Sequence, residues 1–268
     1  MPEKQGYLHG HHDSVLRSHR WRTAENSAGY LLPRLSRAAR VLDVGCGPGT
    51  ITVGLAACAD QGQVTGIDAA ADVLDGARAA AQKAGAGNVR FETGDVYQLQ
   101  FEDGTFDVVH AHQVLQHMTD PVAALAQMRR VCRPGGLVAA RDADYGGMIW
   151  YPAEPGLDAW QGLYHQVARA TGGEPDAGRQ LLHWARAAGF DQVEPSASAW
   201  CYAAPQENRW WSQSWAERVT DSNFARQATG LGLASAADLE SLAQAWHRWG
   251  ASEDGWFMIP HGEILATA

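Results

Sequence analysis

Three glycines alternate directly after an apolar run, and an aspartate follows at a fixed distance. The glycines are Gly45, Gly47 and Gly49, and the apolar run ends at Val44. Glycine lets the backbone pass close to a ligand, and the helix start that follows offers free N–H groups to an anion. Asp68 comes nineteen residues after Gly49, at the end of the next apolar run. A carboxylate there accepts hydrogen bonds from the ribose hydroxyls of an adenosine-containing cofactor.

The glycine spacing separates two kinds of nucleotide site. A dinucleotide pattern requires a third glycine at position 50 or 52, where this chain has Thr50 and Thr52. A nicotinamide-dependent dehydrogenase is therefore the weaker alternative.

Alternating strand and helix patterns must position these residues. Strands are predicted at 41–45, 63–67, 88–93, 106–111 and 136–141, and helices at 49–58, 70–84 and 121–132. This alternation is typical of βαβ units around a parallel sheet. The helix at 121–132 is predicted to follow an Asp120 cap and to stop at Pro134-Gly135-Gly136.

The second half of the chain is rich in tryptophan, since ten of the eleven Trp lie at or beyond position 150. Helices are predicted at 156–171 and 177–188, a strand at 190–201, a helical insertion over about 206–250 and a last strand near 255–266. We expect the residues after 145 to form a pocket lined by Trp150, Trp210, Trp211 and Trp215. The alternative is that these indoles only pack a lid onto the sheet.

The glycine triplet behind Asp43, Asp68 after the second strand and Thr93-Gly94-Asp95-Val96 after the third occur in order. Together they resemble the class I S-adenosylmethionine-dependent methyltransferases over residues 41–142. The fourth-strand region, 106–118, resembles the small-molecule branch that includes the ubiquinone and menaquinone methyltransferases. Residues 112–117 depart from the quinone enzymes' pattern, which argues against a quinone substrate.

The resemblance implies a Rossmann-like, doubly wound α/β fold. Its sheet would have seven mostly parallel strands with helices on both faces, an N-terminal helical flap and a C-terminal helical insertion. We expect one domain over 1–268, with a flap at 1–40, a cofactor-binding core at 41–145 and an acceptor-binding half at 146–268.

The resemblance also implies which residues bind S-adenosylmethionine. Gly45, Gly47 and Gly49 would line its methionine part, with Asp43 near the amino group. Asp68 would bind the ribose, Ala69 would lie beside the adenine, Asp95 would accept from the adenine amine and Val96 would give a backbone contact. Arg22, in a stretch similar to one in quinone methyltransferases, is the candidate for the cofactor carboxylate. The alternatives are that Asp95 caps a helix, that Asp68 stabilises a turn, that Asp43 braces the loop and that Arg22 is a surface residue.

Few residues are candidates for catalysis, because a sulfonium-bound methyl group is already activated. His117 is the candidate general base, since imidazole titrates near neutral pH, and His112 is expected to shape the cofactor pocket. Asp142 and Asp144 lack a matched third ligand, so we expect surface or turn aspartates and no metal site.

The composition limits the kinds of partner that the protein is expected to bind and indicates its cellular compartment. The net charge of −9 disfavours nucleic acid as a partner, although residues 1–40 carry seven Lys/Arg against three acids. No run reaches the roughly 18 to 20 apolar residues of a membrane span, and residues 1–30 lack the apolar core of a signal peptide. Four cysteines without a CxxC pair indicate reduced thiols. We expect a cytoplasmic protein with no membrane partner.

The predicted function is methyl transfer to carbon, oxygen or nitrogen of a small, hydrophobic or aromatic molecule. Two alternatives stay open: an enzyme that binds the same cofactor but catalyses a different reaction, and a non-catalytic module that senses the cofactor. The mass of the product and turnover on an acceptor distinguish the three.

Overall fold

The computed structural model describes residues 21–268. Eight strands lie in this range: β1 (Arg40–Val44), β2 (Gln63–Asp68), β3 (Val89–Thr93), β4 (Phe106–His112), β5 (Cys132–Ala143), β6 (Ile149–Tyr151), β7 (Val193–Tyr202) and β8 (Trp256–Thr267). The predicted count of seven was wrong, because the three-residue strand β6 is too short to show a period in the sequence. The part of the predicted N-terminal flap at 1–20 lies outside the described residues.

Nine α-helices lie in the same range. They are α1 (Ala24–Ala28), α2 (Thr50–Cys58), α3 (Leu74–Ala84), α4 (Pro121–Val131), α5 (Pro155–Ala170), α6 (Ala177–Ala187), α7 (Pro205–Asp221), α8 (Asn223–Gly230) and α9 (Ala236–Gly250). The predicted insertion at about 206–250 corresponds to α7, α8 and α9.

Helix α4 shows how local sequence sets an element's limits. The Asp120 side chain accepts a hydrogen bond from the Ala123 N–H at 2.9 Å, and Pro121 occupies the first turn. The helix ends at Val131, and β5 begins at once with Cys132. The Pro-Gly-Gly segment at 134–136 therefore lies inside β5, where the register with β4 is broken, and does not stop the helix as predicted.

Two compact units divide the described residues: a sheet unit (21–142, 177–198 and 261–268) and an aromatic unit (143–176 and 199–260). In the sheet unit the strand order is β3-β2-β1-β4-β5-β8, and β7 also pairs with β8. Strands β1 to β5 pair in parallel. In the aromatic unit, β6 runs antiparallel to the first residues of β8, Trp256–Met258. The predicted α/β, Rossmann-like, doubly wound class is confirmed.

Helices cover both faces of the sheet. Successive residues of one strand enter different cores: Val41 packs with α1 and α2, whereas Leu42 packs with α4 and α6. Val108 and Val109 of β4 divide in the same way. Because side chains alternate along a strand, this division shows two buried faces. A parallel sheet of this kind places its functional residues where the strands' carboxyl ends meet.

A cluster of packed rings fills the aromatic unit. Trp160 lies 4.5 Å from Trp215 and 4.8 Å from Trp246, centroid to centroid, and Tyr145 stacks on Tyr164 at 4.0 Å. The cluster comprises Tyr145, Trp160, Tyr164, Trp211, Trp215, Trp246, Trp249 and Phe257. These rings are contributed by α5, α7, α9, β8 and the short turn at Tyr145–Gly147. The edge-to-face contacts between many of them add to the stability from burial.

Candidate cofactor-binding site

The glycine loop between β1 and α2 has a backbone that favours glycine. Gly45, Gly47 and Gly49 have φ angles of +65°, +52° and +77°, a region that other residues rarely adopt. A Cβ on Gly45 would overlap the Val114 side chain, and one on Gly49 would lie 2.8 Å from the Cβ of Ala77. The three glycines therefore form a tight turn directly before α2, and neighbouring side chains fill the space beside Gly45 and Gly49.

Asp68, at the end of β2, is bonded to the glycine loop. Its Oδ2 accepts the Gly47 N–H at 2.9 Å, and its Oδ1 accepts the Ala70 N–H at 3.0 Å. A carboxylate oxygen has more than one acceptor direction, so both oxygens can also accept from ribose hydroxyls. Ala69, predicted to lie beside the adenine, is exposed next to this carboxylate. Asp68 thus stabilises the turn and is also placed to bind a ribose.

Asp95 and Val96 follow β3. Asp95 is exposed, and its Oδ1 accepts the Tyr97 N–H at 2.9 Å, which caps the short turn at Val96–Gln98. Val96 is buried in the core that also holds Ile67. The capping role considered as the alternative for Asp95 is therefore present, and the exposed carboxylate can still accept from an adenine amine.

Asp43 is buried, 2% exposed, between two elements of the sheet unit. Its Oδ2 accepts from the Thr52 hydroxyl at 2.6 Å, and its Oδ1 lies 2.8 Å from Nδ1 of the fully buried His110. Asp43 therefore connects β1 to α2 and to β4. These contacts match the alternative that Asp43 braces the loop, and its contact with the cofactor amino group stays a prediction.

Arg22 belongs to a hydrogen-bonded chain of three residues, of which the sequence predicted only Arg22 as a site residue. Its Nη2 donates to Oε1 of Gln113 at 2.6 Å, and Nε2 of Gln113 lies 2.8 Å from Nε2 of His261. Arg22 is thus bonded inside the sheet unit, which is at odds with a purely surface role. Gln113 has φ +53°, the single positive φ outside glycine between residues 21 and 268. Strained backbone of this kind is concentrated at functional sites.

Two histidines, His112 at the end of β4 and His117 in the turn that follows, are held in their neutral form. Burial lowers the pKa of His112 well below its usual value, and the cations Arg22 and Arg141 add to the effect. Burial, with Arg22, lowers the pKa of His117 to about 3. Nε2 of His117 lies 3.0 Å from Nε2 of Gln116, which donates to it. His112 lies beside His261 with ring centroids 6.2 Å apart, which is consistent with its predicted place near the pocket.

Surface or turn aspartates were expected at 142 and 144. The expectation is wrong for Asp142, whereas Asp144 is a turn residue that is buried. Asp142 is 0% exposed and accepts the Gln116 N–H on Oδ1 at 3.1 Å, and burial raises its pKa to about 7. Asp144 is 7% exposed and caps a turn through the Gly147 N–H at 3.0 Å. No local pattern marks Asp142 as buried, since it follows Arg141 in the continuously buried end of β5. Among residues 21–268, no group of three or more His, Cys, Asp or Glu side chains is placed to hold a metal ion.

These residues fit S-adenosylmethionine. The glycine turn leads into the N-terminus of α2, the carboxylate of Asp68 is bonded to that turn, and the guanidinium of Arg22 is bonded to Gln113, directly after β4. The guanidinium of Arg22 and the carboxylates of Asp68 and Asp95 have the chemistry that the carboxylate, hydroxyl and amine groups of the cofactor require.

Comparisons with known proteins agree with this arrangement. A family model described as a methyltransferase domain matches residues 35–188. An uncharacterized methyltransferase of Schizosaccharomyces pombe is 37% identical over 269 residues, 97% of this chain and 95% of that protein. The probable methyltransferase ltbC of Aspergillus luteorubrus is 31% identical over 282 residues, 98% of each chain.

A solved structure extends the comparison to the fold. A phosphoethanolamine N-methyltransferase 2 of Haemonchus contortus, in complex with phosphomonomethylethanolamine and S-adenosylhomocysteine, has a TM-score of 0.53 at 20% identity. The match covers 89% of this chain and 51% of that one. Since the two relatives span nearly the whole chain and the family model spans more than half of it, the chain belongs to the methyltransferase-domain family and is an S-adenosylmethionine-dependent methyltransferase of class I.

Proposed function

We propose that the methyl acceptor is a small hydrophobic or aromatic molecule bound by the aromatic unit. The observation behind the proposal is that Trp150 and Trp210 are half-buried at the edge of the ring cluster, each with a ring of the cluster against it. A half-buried indole can also stack on an aromatic molecule. A hydrophobic or aromatic acceptor fits this edge, because ring contacts add to the gain from apolar burial.

The four predicted lining tryptophans have different surroundings. Trp211 and Trp215 are 5% and 0% exposed and pack inside the cluster. Trp150 and Trp210 are half-buried at its edge, where Trp150 stacks on Phe257 with ring centroids 5.7 Å apart. We assign acceptor contact to Trp150 and Trp210, whereas the other two support them from within the unit. The alternative of simple packing therefore applies best to Trp211 and Trp215.

Replacement of Trp150 or Trp210 by leucine is expected to raise the acceptor KM about tenfold, because a stacked ring is lost. The acceptor is first found by incubating a panel of small phenols, indoles and amines with the cofactor and measuring a mass gain of one methylene unit. Trp184→Leu, a partly buried indole of the sheet unit, is the matched control. Unchanged KM values in both variants, with S-adenosylhomocysteine affinity intact, would exclude these tryptophans from the acceptor site.

The sheet unit holds the cofactor in the proposed reaction. Asp68 binds the ribose, Asp95 and Val96 bind the adenine, and Arg22 binds the carboxylate. The cofactor supplies a methyl group activated on a sulfonium, so transfer is an in-line displacement by the acceptor. The protein's main contribution is to align the acceptor with that methyl group and to exclude water.

His117 is proposed to act on the acceptor through a hydrogen bond, not as a strong base. With a pKa of about 3, its imidazole is neutral at working pH and accepts a proton weakly. His117→Ala is expected to lower kcat about tenfold while S-adenosylhomocysteine affinity changes less than threefold. The kcat profile of the wild type should show no inflection from this group between pH 6 and 8. An inflection near pH 6.5 that is absent from the variant would instead establish it as the general base.

The two other functions make different predictions. A cofactor-dependent enzyme of another kind would change its substrate without adding a methyl group, and a sensing module would bind the cofactor without turnover. The family match favours methyl transfer over both. Mass spectrometry of the product together with formation of S-adenosylhomocysteine separates the three.

The proposed function requires neither a particular cellular location nor a macromolecular partner. Between residues 21 and 268, no helix combines the length and apolarity needed to cross a bilayer. The cytoplasmic location and the absence of a nucleic-acid partner stay predictions from composition and charge.

A further inference from the structure

An unpaired buried acid lies at the carboxyl end of the sheet. Asp142, next to last in β5, is 0% exposed. Its Oδ1 accepts the Gln116 N–H, but its Oδ2 is buried without a hydrogen-bond partner among the described residues. No ion pair found between residues 21 and 268 includes it. Burial of a carboxylate outside an ion pair is costly to a fold, and groups of this kind are concentrated at functional sites.

Asp142 is close to the glycine loop through a short series of contacts. The segment that it binds includes Val114, whose side chain packs where a Cβ of Gly45 would be. The same segment is fixed to β5 by a hydrogen bond of 2.7 Å from the Gln113 N–H to the Arg141 carbonyl. The acid therefore lies in the layer beside the loop that contacts the methionine part of the cofactor in the proposed function.

Two neighbouring cations, Arg22 and Arg141, act on Asp142 through space but form no ion pair with it among the described residues. The guanidinium of Arg141 binds Glu263 at 3.1 Å, and Arg22 donates to Gln113. Tyr30, which also acts on this acid, is uncharged because burial raises its pKa well above its usual value. The N–H groups of residues 115 and 116 and the two arginines lower the pKa of Asp142, but burial outweighs them and raises it to about 7.

We propose that the Asp142 carboxylate is the counter-charge of the cofactor's sulfonium and makes the protein prefer S-adenosylmethionine to S-adenosylhomocysteine. The inference rests on the proposed function. The methylated cofactor carries a positive sulfur, whereas the product is a neutral thioether, so only the former gains from a nearby anion. Direct contact is unnecessary, because the field of a buried charge acts over several ångströms in a medium of low dielectric constant. The preference favours exchange of product for fresh cofactor after each transfer.

The pH dependence follows from the same charge. In the free protein Asp142 is mostly protonated at pH 6 and mostly ionised at pH 8. A cation bound nearby stabilises the ionised form, so its binding at pH 6 must release a proton. S-adenosylmethionine affinity should therefore rise about fivefold to tenfold from pH 6 to pH 8. The affinity for S-adenosylhomocysteine should not follow this rise.

Calorimetric titration of both ligands into the wild type and Asp142→Asn tests the proposal without any acceptor. We expect the variant to bind S-adenosylmethionine about tenfold or more weakly, to keep S-adenosylhomocysteine affinity within about threefold and to lose the pH dependence. Asp107→Asn is the matched control, since this acid pairs with Arg40 and Arg133 at the opposite end of β4.

Each other result contradicts the proposal in a recognisable way. Equal weakening of both ligands would show that Asp142 only supports the fold of the site, and unchanged affinities would show that its charge does not reach the sulfur. If neither ligand bound the wild type, the proposed function itself would fail, which differs from failure of the Asp142 assignment alone.

Discussion

Replacing Asp68 by alanine is expected to weaken S-adenosylhomocysteine binding about 100-fold. The carboxylate accepts the N–H groups of Gly47 and Ala70 and is the proposed partner of the ribose. Hydrogen bonds to a charged group are each worth about 1.5–3 kcal/mol, so loss of the loop contact and the ribose contacts accounts for this factor. Isothermal calorimetry measures the affinity directly.

Two further variants test whether the loss of affinity depends on the charge of residue 68 and on its position in the fold. Asp68→Asn keeps one carbonyl oxygen, which can accept only one of the two N–H groups, so an intermediate loss of about tenfold is expected. Asp75→Ala removes a carboxylate from the nearby start of α3 whose side chain is 87% exposed, and it should bind like the wild type. Wild-type affinity in Asp68→Ala would show that this acid only stabilises its turn.

Replacing Asp43 by alanine is expected to lower the free energy of unfolding by about 2–4 kcal/mol. The change leaves the Thr52 hydroxyl and the His110 ring without their acceptor in a region closed to water. Each buried polar group left without a partner costs about 1–3 kcal/mol. Urea denaturation followed by circular dichroism measures the loss, with equal slopes in both proteins as a check on the comparison.

Thr52→Val shows how much of the lost unfolding free energy comes from one of the two contacts. It removes one of the two contacts and should cost about 1 kcal/mol. A stable Asp43→Ala protein that has lost affinity for S-adenosylhomocysteine would reverse the assignment, because it would place Asp43 at the cofactor and not in the connection between β1, α2 and β4.

Local signals in the sequence identified most of the sheet unit. Alternating apolar runs located β1 to β5 within a few residues, apart from the early start of β5. The left-handed backbone at Gly45, Gly47 and Gly49 is a property of glycine itself, so their spacing was informative before any fold was known. Asp68 could be found because a fixed βα length places it beside that loop.

Other features depend on contacts between distant residues. Gln113 meets His261, which lies 148 residues further along the chain, and no local pattern links the two. The burial of Asp142 arises from the elements around it, so its carboxylate looked like an ordinary turn residue. Strand β6 exists through its pairing with β8. Segment 134–136 has the composition of a helix stop, but pairing with β4 on either side makes it an irregular part of β5.

Titration of the wild-type protein with S-adenosylhomocysteine and, separately, with NAD tests the cofactor assignment most directly. The glycine spacing, the position of Asp68 and the family match predict saturable binding of S-adenosylhomocysteine at one site per chain and no measurable binding of NAD. Binding of NAD in preference, or no binding of S-adenosylhomocysteine, would contradict the cofactor assignment and every site role that depends on it.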